Sequence, residues 1–205
     1  MTVRVLRAAG RTAVPWKNGG GVTREIAVSP EGAPMDSFDW RISLADVAAD
    51  GPFSAFPEVD RTLTVVEGAG MDLTVGGQRL LVDERFVPRD FPGDRATDGR
   101  LLGGPVVNFN VMHRRDRAEV LTAVVRGRLP LVVAEGPVVV VVALRGTTVL
   151  EAGRPGAGQV TLDRYDAAVV DGGHAGDLRT DGDAAVVTIR VPARAPAGRG
   201  QRSRP

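Results

Sequence analysis

Two asparagines stand at alternate positions in the segment from Asn108 to Asp116, NFNVMHRRD. Side chains of a β-strand alternate between its two faces, so Asn108, Asn110 and Met112 share one face. Two amides on one face supply hydrogen-bond donors and acceptors that orient a small polar ligand. The segment therefore predicts one wall of a small-molecule site.

Arginines occupy two further segments that have strand character. In FDWRISLADV, residues 38–47, Arg41 and Ser43 lie on the face opposite Trp40. That polar face points either to solvent or into the lumen of a barrel. In DGPFSAFPEVDR, residues 50–61, Asp60 and Arg61 are neighbours and point to opposite faces if both lie in a strand, so they need not pair.

Three consecutive glycines, Gly19 to Gly21, follow Trp16-Lys17-Asn18 in the segment PWKNGGGVTREI. Glycine lets the backbone approach another group closely, and that group is either a ligand or a neighbouring strand.

The sequence lacks the residues that several kinds of catalytic and metal chemistry require. The chain has no cysteine, and its two histidines, His113 and His174, lie in unlike contexts with no His-x-His pair. There is no nucleophile elbow, P-loop or dinucleotide fingerprint. We therefore expect no metal, no cofactor and no catalytic residue of a known motif.

Composition narrows the partners and the location. The formal net charge of +1 argues against a broad nucleic-acid surface. The longest apolar run, from Val138 to Leu144, has the length of a buried strand and is too short for a membrane span. No secretory signal is recognisable at the start, so we expect a cytoplasmic protein with no membrane partner.

The elements that must position these residues are strands. Short apolar segments separated by Gly or Pro predict strands at Thr62–Glu67, Met71–Val75, Gln78–Val82, Val138–Leu144, Thr147–Ala152, Gln159–Leu162 and Ala184–Val191. The pair Gly76-Gly77 suits a tight hairpin. Residues 193–205 have no apolar content to bury and are expected to form a disordered tail.

An ordered repeat with an offset near 80 residues indicates two copies of one β unit. LTVVEGAGMDL aligns with VVVALRGTTVL, FPGD with HAGD, and VNFNV with VTIRV. This last alignment matches Asn108 and Asn110 with Thr188 and Arg190. We therefore predict two jelly-roll barrels, with the ligand site in the first and the second as support.

The motifs PWKNGGGVTREI, FDWRISLADV, DGPFSAFPEVDR, FPGD and NFNVMHRR together resemble the HutD/Ves family over roughly the first 115 residues. The resemblance implies an all-β bicupin, two RmlC-like cupin barrels in one compact chain. We expect the first barrel at 1–117 and a second, degenerate barrel at 118–192. The resemblance also implies a regulatory role in histidine utilisation, with formylglutamate or a related intermediate as ligand.

Carried over by motif, the ligand-binding residues implied by the resemblance are Trp16, Asn18, Arg41, Ser43, Arg61 and Asn110. Arginine binds carboxylates through two parallel hydrogen bonds, so two arginines suit a dicarboxylate. Alternatively, Arg41 or Arg61 forms a structural ion pair with Glu25 or Asp60 and does not bind the ligand. The chain departs from the family pattern at Glu58, where a glycine is usual, and at Asn108, where an acidic residue is usual.

Two classes of function follow. The first is a regulatory protein that binds a small carboxylate, for which a homodimer is one assembly left open. The second is a metal-independent isomerase or epimerase, which would need a buried general base beside the ligand.

Overall fold

The computed structural model describes residues 2–17, 19–152, 158–171 and 173–192. Asn18 and the predicted tail at 193–205 lie outside the described residues. The described residues form strands and turns without a helix, which confirms the all-β prediction. The strands are β1 (Thr2–Leu6), β2 (Ala13–Pro15), β3 (Gly21–Ser29), β4 (Trp40–Val47), β5 (Gly51–Phe53), β6 (Val59–Glu67), β7 (Met71–Val75), β8 (Gln78–Val82), β9 (Arg89–Pro92), β10 (Thr97–Leu101), β11 (Val106–Arg114), β12 (Glu119–Val133), β13 (Val138–Arg145), β14 (Thr148–Ala152), β15 (Gln159–Leu162), β16 (Ala167–Asp171) and β17 (His174–Arg190).

The strands form three antiparallel sheets. One has six strands in the order β2-β3-β4-β11-β6-β9, and one has four in the order β5-β10-β7-β8. The third has seven strands in the order β1-β16-β13-β17-β14-β15, with β12 also paired to β17. The tight β7–β8 hairpin turns at Gly76 and Gly77, whose φ angles of 55° and 82° favour glycine.

Three apolar clusters hold the sheets together. The first lies between the six- and four-stranded sheets and includes Leu63 and Leu73. The second lies between the six- and seven-stranded sheets and includes Ile42 and Val140. The third is enclosed by the seven-stranded sheet folding on itself and includes Val141. The alternation of neighbouring Val140 and Val141 between two clusters shows a strand that is buried on both faces.

The same pairing pattern occurs twice along the chain. β6 pairs with β9 and β11, and β13 pairs with β16 and β17. β7 pairs with β8 and β10, and β14 pairs with β15 and β17. This pattern agrees with the predicted repeat. The interpretation as two complete cupin barrels divided at residue 117 stays a prediction, and β1 crosses that division because it pairs with β16.

The predicted alignment of the last strand is wrong in register. Asn110 lies opposite Ser43 and Leu63. Leu63 and Val141 each lie in the inner apolar cluster of their copy, so the residue matched with Asn110 is Val186, opposite Ala123 and Val141. By the same pairing, Ala184 takes the place of Asn108. The repeat of Val-rich strands hides a register shift in the sequence, because each shift still aligns apolar with apolar residues.

Candidate binding site in the first barrel

Four of the predicted ligand-binding residues share the inner face of the six-stranded sheet. One row of Cα partners across four strands runs Arg41, Met112, Arg61 and Phe91. In the next row the partners are Glu25, Ser43, Asn110 and Leu63. The strand-period prediction for Arg41, Ser43 and Asn110 is therefore confirmed, and their face is the lumen side of the barrel rather than open solvent.

Arg61 is the unusual residue of this face. It is only 9% exposed, and burial of its guanidinium lowers its pKa to about 10. Among the described residues no carboxylate forms an ion pair with it, and its Nε is buried without a hydrogen-bond partner. Buried charges in proteins are normally paired, because transfer of an ion out of water is costly. Arg61 is thus a buried cation that has no carboxylate partner among the described residues.

Three phenylalanine rings surround the Arg61 guanidinium. Its Cζ lies 5.1 Å from the ring centre of Phe53, 5.7 Å from that of Phe56 and 5.2 Å from that of Phe91. Each ring attracts the cation through its quadrupole and excludes water. The rings stabilise the charge without occupying its N–H groups, which stay available to an acceptor in the plane of the guanidinium.

The sequence analysis did not assign these three rings to the site. All three stand in the motifs DGPFSAFPEVDR and FPGD, from which only Arg61 was predicted to bind the ligand. A pair of Phe residues in a Pro-rich loop just before a buried arginine was the available signal. Their convergence on one guanidinium depends on tertiary packing of three segments.

The two asparagines lie further into the lumen. Asn108 is 1% exposed and Asn110 is 7% exposed, and the side-chain oxygens of both lack a hydrogen-bond partner among the described residues. The Asn108 Nδ2 donates to Met71 Sδ at 3.2 Å. The oxygen and nitrogen of an amide exchange places by a half-turn, so either can face a ligand. With buried Ser43, they form a polar patch in an otherwise apolar core.

Arg41 forms an ion pair with Glu25, which is the alternative to ligand binding that the sequence left open. Its Nε donates to Glu25 Oε2 at 2.8 Å, and its side chain is 15% exposed. Arg41 and Arg61 stand two strands apart, so their Cα atoms are about 10 Å apart. Asp60, the second candidate partner, does not pair with Arg61. It accepts a hydrogen bond from Arg115. Of Arg41 and Arg61, Arg61 is the one without an ion pair in the described part of the chain.

Trp16 and the glycines beside it support the site from outside. The Trp16 Nε1 donates to Thr23 Oγ1 at 2.7 Å, and its ring meets Phe53 edge-on at 6.4 Å. A Cβ on Gly21 would lie 2.3 Å from the backbone oxygen of Asp46. Of the two explanations for the glycine run, the structure therefore supports close approach of a strand at Gly21. Trp16 packs behind one of the rings that surround Arg61.

An opening lies beside these rings. A cleft of about 390 Å³ separates β8 from β9, the edge strands of the two sheets, and its walls include Leu80 and Phe91. Phe91 therefore belongs both to the cleft and to the ring set around Arg61.

Groups suited to acid–base or metal chemistry do not gather on this face. Within the described ranges, no three His, Asp or Glu side chains are placed to hold a metal ion. Burial lowers the pKa of His113, but its Cα partners are Trp40 and Asp60, on the opposite side of the sheet from Arg61. Nor does the described part of the chain contain a helix able to span a membrane.

Comparison with known proteins places the fold. A solved cupin 2 conserved barrel domain protein from Leptotrichia buccalis superposes with a TM-score of 0.56 and 10% identity, covering 91% of this chain and 99% of that chain. HutD from Pseudomonas fluorescens SBW25 gives a TM-score of 0.80 and 30% identity over 94% of this chain and 100% of that chain. The fold is therefore of the cupin type.

Two sequence relatives carry names that point to the same family. A protein of Pseudomonas putida, described as an uncharacterized 21.2 kDa protein in the hutC 3′ region, is 40% identical over 56% of this chain and 60% of its own length. Protein Ves of Cronobacter sakazakii is 39% identical over 50% of this chain and 55% of its own length. Both matches span less than two thirds of the relative. The HutD family model matches residues 8–188, and the chain therefore belongs to the HutD family.

Proposed function

We propose that this protein binds a small carboxylate in the lumen of its first barrel, with Arg61 as the anchoring residue. The single observation that carries the proposal is a buried guanidinium surrounded by three aromatic rings and lacking a carboxylate among the described residues. An anionic ligand would supply the missing charge. Charge-assisted bidentate bonds would fix its orientation.

The polar patch next to Arg61 extends the proposal to the rest of the ligand. Ser43 and Asn110 occupy neighbouring strands in the adjacent row and are both buried. Their hydroxyl and amide groups suit an amide or formamide group on the same small molecule. Formylglutamate combines a formamide with carboxylates, which makes it the ligand to test first.

The second copy supports the choice of barrel. Where the first copy has Arg61, Ser43, Asn108 and Asn110, the paired positions of the second copy carry Val139, Ala123, Ala184 and Val186. These four positions offer no partner for a carboxylate, so the second barrel is proposed as a support.

A regulatory role in histidine utilisation completes the proposal and rests on family membership. The alternative role as an isomerase or epimerase needs a general base beside the ligand. Glu25, the acidic residue of the polar row, is bonded to Arg41 and does not favour that alternative.

Isothermal titration of the full chain with formylglutamate, glutamate, urocanate and formate tests the proposal. We expect one carboxylate to bind with 1:1 stoichiometry and a neutral amide of the same shape to bind at least tenfold more weakly. Equal binding of the neutral compound, or no binding by any of the carboxylates, would refute Arg61 as an anion anchor.

A further inference from the structure

The FPGD segment, residues 91–94, packs directly on the side chain of Arg61. A Cβ added to Gly93 would stand 3.1 Å from Arg61 Cγ and 3.2 Å from its Cδ. It would also stand 2.9 Å from the backbone oxygen of Val59. Only a glycine leaves room for the stem of the arginine here, so the segment forms a fitted wall along Arg61.

Gly93 also fixes the backbone on both sides of the site. Its N–H donates to the oxygen of Val59 at 2.7 Å, and its own oxygen accepts from the N–H of Phe56 at 2.7 Å. Phe56 and Phe91, two of the three rings around Arg61, are thereby tied to one residue. A shift of Gly93 would move both rings and the guanidinium together.

Arg115 holds this segment from outside the lumen. Its two Nη atoms donate to both oxygens of Asp94 at 2.7 and 3.2 Å, and its Nε donates to Asp60 at 2.9 Å. Its Nη2 also donates to the oxygen of Val59 at 3.3 Å. The planar guanidinium thus joins residues on both sides of the Gly93 turn to the β11–β12 connection. Bidentate arginine pairs of this kind set geometry as well as energy.

A bidentate arginine–aspartate pair of the same kind lies in the second half of the chain, between β12 and β17. Arg128 donates to both oxygens of Asp177, the aspartate of the HAGD segment, at 3.0 and 2.7 Å. Asp177 lies within β17, whereas Asp94 follows β9, so the two aspartates do not hold equivalent places in the repeat. Neither β12 nor β17 pairs with the strand that carries Arg61, so loss of this pair serves as a control for loss of a bidentate ion pair in general.

We propose that Arg115 is a positioning residue of the anion site: through Asp94 it holds the Gly93 turn against Arg61 and so keeps the guanidinium edge presented to the ligand. This inference rests on the proposed function for its consequence in binding. Its structural part concerns the placement of Arg61 and stands on the contacts alone.

The test compares Arg115→Gln with its matched control, Arg128→Gln, in the full chain below the melting temperature of both. Phenylglyoxal labelling followed by peptide mass spectrometry reports how accessible the Arg61 guanidinium is. We expect Arg61 to be labelled several times faster in Arg115→Gln than in the wild type. In Arg128→Gln the Arg61 rate should stay at the wild-type value, although both variants lose stability.

Binding of formylglutamate gives the second readout. We expect Arg115→Gln to weaken binding at least tenfold and Arg128→Gln to leave it unchanged. If the wild type does not bind formylglutamate, the proposed ligand is wrong, and the labelling rates still decide on the role of Arg115. A wild-type labelling rate of Arg61 in Arg115→Gln would overturn that role. Should Arg115→Gln fail to fold, Asp94→Asn breaks the same pair with a smaller change and is read by the same criteria.

Discussion

Replacement of Arg61 by methionine removes the guanidinium and keeps a flexible apolar side chain among the three phenylalanine rings. A thioether makes favourable contacts with ring edges, so the variant should fill the space that the arginine stem leaves. The change therefore separates the charge of Arg61 from its volume.

The expected effect on stability without ligand is small. Burial lowers the Arg61 pKa to about 10, and this lowering corresponds to about 3 kcal/mol against keeping the charge in the fold. Three cation–π contacts of about 0.5–2 kcal/mol each oppose this amount. The two contributions nearly cancel, so Arg61→Met should change the free energy of unfolding by no more than about 2 kcal/mol. Loss of one partner of a buried ion pair would instead destabilise by about 3–5 kcal/mol.

The expected effect on binding is large. A bidentate carboxylate receives two charged hydrogen bonds of about 1.5–3 kcal/mol each. Their loss lowers affinity by about a hundredfold or more, because 1.4 kcal/mol is a factor of ten. Arg61→Lys should recover little, because an ammonium lacks the planar fork.

Thermal unfolding with and without ligand measures both effects. At a ligand concentration of 100 Kd the wild type gains about 2.7 kcal/mol, which raises Tm by about 5–10 °C for a chain of this size. Arg61→Met should lose this rise and keep a Tm near that of the ligand-free wild type. The reasoning fails if Arg61→Met lowers the ligand-free Tm strongly and retains the full rise with ligand.

Four further changes have defined outcomes. Arg41→Ala should lower Tm slightly and leave carboxylate affinity within twofold, because Arg41 is bonded to Glu25; a tenfold loss of affinity would place Arg41 in the site. Glu58→Gly should raise the urea midpoint by the equivalent of about 1 kcal/mol, since φ is 61° there. Gly21→Ala should destabilise strongly by urea titration, whereas Gly158→Ala, which meets nothing within 4 Å, should not. Asp94→Asn should show a smaller fall of Tm than the wild type on acidification below about pH 4: the hydrogen bond from Arg115 lowers the Asp94 pKa, so that stabilisation is present above the unfolded pKa and lost as pH falls through the folded one.

The strands and the faces of their side chains could be predicted from the sequence because both are local properties. Alternation fixed Arg41 and Ser43 on one side of their strand, and Asn108 and Asn110 on one side of theirs. Gly76-Gly77 located a hairpin, because only a few residues adopt positive φ without strain. The same spacing of apolar runs and turns predicted strands, and the described residues contain no helix.

Partners across the sheet were decided by tertiary structure. Whether Arg41 meets an anion or Glu25 depends on the β3–β4 register, which shifts at an irregularity between Glu25 and Ala27. The alignment of Asn110 with Arg190 failed for the same reason, since Val-rich strands accept several registers equally well in sequence. Pairing of β1 with β16 joins residues more than 160 positions apart and leaves no local trace.

The sequence by itself determined that one copy of the repeat carries polar residues on a strand face, because composition and alternation are local properties of the sequence. Only the tertiary structure decided that Arg61 is a buried cation with no carboxylate partner in the ranges that the structure describes. Its aromatic surroundings come from Phe53, Phe56 and Phe91, and its wall from Gly93. These groups belong to three segments, and their meeting depends on how two sheets curve toward each other, which no local pattern specifies.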